Sequence, residues 1–179
     1  MTLLDEILEI GAKELSCSKD ELMADEIEQE FFSEWSFWNV SDYALPPASL
    51  VLAAREAQVV RVLKEDGFAP LVPYEPIEIR GNEEAVRYVE FFIWLTDASI
   101  EILNSTEDVP GITEQEIADL SHEINSPSAD FQEECLIVQL FAWKATNIYK
   151  MEFLISDVGA IQYETKKIKS GVGVALVID

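Results

Sequence analysis

The sequence predicts an α+β fold, a helical N-terminal two-thirds packed on a small C-terminal antiparallel β-meander. Three observations predict it. Apolar residues recur every three or four positions through residues 4–38. Helix-capping signatures recur through the middle of the chain. After residue 147 the apolar period changes to two, the spacing of a half-buried strand.

Taken in order, Leu4, Leu8, Ala12 and Leu15 form the seam of a first amphipathic helix. Ser18, with Glu21 three residues on, is a capping box for a second. Its stripe runs Met23, Ile27, Phe31, Trp35, Trp38, and Glu26, Glu30 and Glu34 occupy a neighbouring face. Phe32 and Phe37 fall off the stripe. Pro46 and Pro47 can open a third helix that runs to about Lys64, with Gly67 ending it. Pro70, Pro73 and Pro76 make the next stretch extended, and Pro76 to Arg80 reads as an edge strand.

Asn82 caps a helix over Glu83 to Leu103 whose polar positions, Glu83, Arg87, Glu90, Asp97 and Glu101, form one narrow stripe. Trp94 lies in the gap of that stripe. Thr113 and Glu116 close a capping box for a short helix ending near Asn125, and Ser126 with Pro127 starts another. The meander comprises residues 148–156, 160–168 and 172–178. A turn centred on Asp157 would set Lys150 opposite Glu164 and Met151 opposite Tyr163. The register two residues away opposes Lys150 with Lys166 and Glu152 with Glu164, which is electrostatically unfavourable.

With 179 residues and 49% apolar composition, the chain can bury a core, and a single domain over 1–179 is expected. Twelve basic against 35 acidic residues give a net charge of −23. Such a field repels free nucleic acid and anionic membrane surfaces and steers basic proteins in. The charge is uneven. Residues 1–42 hold twelve acids against Lys13 and Lys19, a net of −10. This stretch is read as an acidic helical part of the domain, or as a semi-independent appendage to it.

Catalytic chemistry finds little material. His122 is the single histidine; Glu116 and Asp119 precede it at steps of three, a surface helix face rather than a metal site. Cys17 and Cys135 stand apart in no paired motif, as expected of reduced thiols in a cytoplasmic protein. Gly171 and Gly173 have no following helix to offer a phosphate. The acids of residues 20–34 lack the ligand spacing of an EF-hand. The N-terminus carries acids where a signal peptide needs bases, and the most apolar stretch is too short and charged to span a bilayer. No cofactor or metal is expected.

These observations predict a non-enzymatic acidic binding protein that occupies a basic surface of a partner protein. An inhibitor, an immunity-type partner or a nucleic-acid mimic would behave in this way. The partner-binding residues are expected to be Asp25, Glu26, Glu30, Glu34, Trp38 and Trp94. The alternative is an accessory or structural subunit, homo-oligomeric, whose acidity serves solubility.

Overall fold

The structure is a computed structural model that describes residues 2–44, 47–132 and 135–173. It overturns the helical two-thirds: 36% of the chain is strand and 24% helix, and the strands form two antiparallel sheets. The chain divides into two compact units, residues 1–77 and 78–179.

The first unit opens with helix α1 (Leu3–Leu15), capped by a reciprocal pair in which Asp5 N–H donates to Thr2 Oγ1 and Thr2 N–H to the Asp5 carboxylate. A four-stranded meander follows: β1 (Leu22–Ile27), β2 (Ser36–Asp42), β3 (Ser49–Arg55) and β4 (Gln58–Arg61), paired in that order. The face that α1 buries is shifted from the expected seam. Of that seam, Leu8, Ala12 and Leu15 are partly buried against the core and Leu4 is exposed, whereas Ile7 and Gly11 are buried. They pack with Leu22, Val40, Leu50, Leu52 and Ala54, alternate residues on one side of the sheet. The other side is buried at Phe37 and Ala53. The Phe37 ring lies 5.4 Å from Phe32 and 6.3 Å from Phe68.

The expected second helix is therefore two strands and a loop. Its stripe of Met23, Ile27, Phe31, Trp35 and Trp38 fits a period of four, but a compact loop breaks it. The Gln29 side-chain oxygen accepts from Phe31 N–H (2.7 Å) and Phe32 N–H (2.8 Å), and its amide donates to the Phe32 carbonyl. The Glu75 carboxylate accepts from Ser33 N–H at 2.6 Å and Glu34 N–H at 2.9 Å, a tie from more than forty positions away. Phe32 and Phe37, surplus to a helix, are the core. Met23, expected inside, is exposed. Ser18 and Glu21 do form their box, but it caps one turn of 3-10 helix that leads into β1.

The helix expected from Pro46 to Lys64 is β3 and β4. Leu50 to Ala54 is buried on both faces as a central strand, which erases the period of two. A tight turn with Glu56 at φ 52° joins the pair without a glycine. Residues 64–74 form successive turns rather than an extended chain, and 76–80 lie in no sheet.

The second unit begins with α2 (Asn82–Thr96), whose N-cap is Gly81 rather than Asn82. It stops seven residues short of the expected end, and β5 (Glu101–Leu103) follows. The Thr113 capping box starts α3 (Glu114–Leu120) as expected. The helix expected after Ser126 is instead β6 (Ser128–Gln132), which precedes β7 (Cys135–Lys144), β8 (Asn147–Ile155) and β9 (Ile161–Ser170). Sheet order is β5-β7-β8-β9, with β6 also on β7. Alternate residues of β7 and β8, including Val138, Leu140, Met151 and Phe153, are buried. α2 packs on this side: its Phe92 ring lies 6.3 Å from Phe153, and Tyr88 Oη donates to the Gly159 carbonyl at 2.8 Å. A second core on the other side joins Leu103, Leu120, Ile124, Trp143, Ile148 and Val172.

The β8–β9 hairpin falls where the period switch put it, in the register judged unfavourable. Lys150 opposes Lys166 and Glu152 opposes Glu164. Because the sign alternates from row to row, each side chain has opposite charges on its diagonals, Lys150 with Glu164 and Glu152 with Lys166. The turn decides the register. Ser156 N–H donates to the Ala160 carbonyl, and Gly159 holds φ 89°, a left-handed geometry that suits glycine. Of the third strand expected at 172–178, residues 174–178 lie outside the described residues.

Candidate functional site

The expected partner-binding residues do not form one helix face. Asp25 and Glu26 are successive exposed residues of β1 and point to opposite sides of the sheet. Glu26 stands directly opposite Trp38 on β2. Trp38 is half-buried against the α1 core, and its indole N–H donates to Ser36 Oγ at 3.0 Å, so most of this ring is structural. Glu30 and Glu34 are exposed in the loop between β1 and β2. Trp94 is 55% exposed on α2, in the second unit.

What the fold brings together is a cleft in the first unit. An open cavity of about 740 Å³ lies among the end of β1, the following loop and the β3–β4 turn. Glu26, Glu28, Glu34 and Glu56 line it, with Arg55 as the one basic residue and Trp35 in its wall. Of the expected residues, it gathers Glu26 and Glu34. The sequence reading missed Glu28, Arg55 and Glu56, since the last two arrive only through the β3–β4 hairpin. No local signal marks that turn.

Arg55 is held from two directions. Its Nε donates to Glu34 Oε2 at 2.6 Å, and its guanidinium carbon sits 5.7 Å from the centre of the Tyr74 ring. One carboxylate and one aromatic face thus already accommodate a guanidinium at the rim. Trp35 is almost wholly buried with its ring edge-on to Tyr74, and its indole N–H has no hydrogen-bond acceptor among the described residues.

The remaining chemistry is electrostatic. No ionisable side chain among the described residues is buried, apart from the phenol of Tyr88, whose pKa burial pushes up. Lys19 donates to Asp5 at 2.8 Å and, with the Thr2 capping bonds, holds that carboxyl well below its usual range. Glu21 and Glu116 are lowered by the backbone N–H groups of Ser18 and Thr113. Burial raises the Cys17 thiol, as do Asp42 and Glu21, which disfavours a nucleophilic thiolate. His122 is exposed beyond the end of α3. Among the described residues, no group of three or more His, Cys, Asp or Glu side chains is placed to hold a metal.

No described helix is long and apolar enough to cross a membrane. The cleft brings four carboxylates together beside the Trp35 wall. Comparison with known proteins finds no matching family model, and no curated protein or solved structure of significant similarity.

Proposed function

We propose that the protein is a non-enzymatic, cytoplasmic acidic binding protein that occupies a basic surface of a partner protein, as an inhibitor, an immunity-type partner or a nucleic-acid mimic does. The observation that carries this reading is the convergence of Glu26, Glu28, Glu34 and Glu56 on one open cleft with a single basic residue. Carboxylates crowded at a concave surface focus the field and favour a guanidinium or ammonium entering from outside. The carboxylates stand on a strand, a loop and a turn. On this reading the surface receives one or two inserted cationic side chains in a pocket rather than along the helical row of carboxylates expected from the sequence.

An oligo-arginine peptide is a defined probe of this surface. Reversing Glu26, Glu28 and Glu56 to lysine leaves the Glu34–Arg55 pair intact and changes only exposed positions, where substitutions cost little stability. The expected result is a loss of peptide affinity of more than about tenfold. An equal-charge control, Glu101, Glu107 and Glu123 to lysine, should retain most of the affinity. Equal losses in the two variants would mean that net charge alone attracts the peptide, and would favour the reading in which acidity serves solubility.

A further inference from the structure

Among the described residues each sheet ends in an edge strand with no further strand beside it, and two of these edges are opposite in charge. β9 is the outermost strand of its sheet, ten residues long, and no described strand lies beyond it. It carries Lys166, Lys167 and Lys169, three of the seven basic residues in 78–179. β1 is the outermost strand of the other sheet. It carries Asp25 and Glu26, preceded by Asp20 and Glu21 and followed by Glu28. The other edges lack this concentration. β4 ends in Arg61, β5 contributes Glu101, and β6 contributes Asp130.

We propose that β9 of one copy adds to β1 of a second copy, edge to edge, so that the chain self-associates head to tail. An unpaired edge presents a row of free N–H and C=O groups that another strand can satisfy. Charge then selects which strand. Two β9 edges would oppose lysine to lysine, and two β1 edges carboxylate to carboxylate, so both symmetric pairings are disfavoured. Lysines at an edge discourage neutral and basic strands but favour an acidic one, and β1 is the most acidic edge strand described. The contact uses different patches on the two partners, so the assembly closes into a ring or grows as a chain.

The test is a charge-swap complementation read by sedimentation at high micromolar concentration, with circular dichroism as the check on folding. Wild type should sediment as a dimer or larger. Lys166→Glu/Lys167→Glu/Lys169→Glu and Asp25→Lys/Glu26→Lys should each be monomeric, and an equimolar mixture of the two should associate again. In wild type, amide exchange over residues 161–170 should slow as concentration rises, while residues 58–61 of β4 should not change. That measurement needs no variant to fold. A wild type that stays monomeric with exchange independent of concentration overturns the proposal, and so does a lysine-reversed variant that associates as well as wild type. The lysine reversal leaves the acidic cleft intact and should still bind oligo-arginine, so failure here is distinct from failure of the cleft reading.

Discussion

Gly11 sits where α1 packs against the sheet. A Cβ built there would lie 2.6 Å from Val40 Cγ1 and 3.3 Å from Leu22 Cδ1. Alanine would gain roughly 1 kcal/mol of helix propensity, but overpacking costs roughly 1–3 kcal/mol. Gly11→Ala should therefore destabilise by up to about 2 kcal/mol in urea unfolding. In a Val40→Ala background the same change should be neutral or stabilising, because the clashing methyl is gone. At the same scale, Asp5, Glu21 and Glu116 accept capping N–H bonds, and their folded pKa values are depressed. A depressed carboxylate contributes stability above its unfolded pKa, near 4, and loses it as pH falls through the folded value. The Asp5→Asn/Glu21→Gln/Glu116→Gln variant should show a shallower fall in melting temperature than wild type below about pH 4. Parallel acid curves would show that these caps do not couple folding to pH.

For whole elements, the decisive quantity is where each backbone finds its partners. A stripe with steps of four and three is compatible with a helix, yet Met23 to Trp38 became a strand, a loop and a strand. Glu75 and Gln29 satisfied the loop's N–H groups, and β3 satisfied those of β2. Neither Glu75 nor β3 is visible in a local window. The β8–β9 register was misjudged for a related reason: direct rows were weighed without the diagonals. Cysteines test this register. Glu152→Cys with Glu164→Cys places two Cβ atoms about 4.5–5.5 Å apart in a directly opposed pair, within reach of a disulfide after small adjustment. Lys150→Cys with Glu164→Cys is a diagonal pair about 7–8 Å apart and should not oxidise. The reverse outcome would restore the register first expected from the sequence.

For the whole molecule, charge outweighs every other surface property. With 35 acids against twelve basic residues, one-to-one pairing must leave 23 carboxylates without a basic partner. No carboxylate among the described residues is buried, so the surplus repels itself through water, where salt screens it. The melting temperature should therefore rise between low and physiological ionic strength. A midpoint that stays level or falls would mean that cations or a partner already neutralise the acidic surface.

The order of residues was enough to establish the charge, the capped start of α3, and the β8–β9 hairpin. All three are local or additive properties: a sum over residues, a four-residue hydrogen-bonding pattern, and a strict alternation with a glycine-bearing turn. It also supplied Glu26 and Glu34, two of the four carboxylates in the cleft. Tertiary contacts were needed to make Phe32 and Phe37 core, to half-bury Trp38 in a structural role, and to carry Arg55 and Glu56 to the cleft through a glycine-free turn. β3 is buried on both faces and has no period to read, and its pairing joins residues far apart in the chain. Long-range pairing of that kind settled strand over helix for β1 to β4, because an apolar stripe alone does not say which backbone will satisfy its hydrogen bonds.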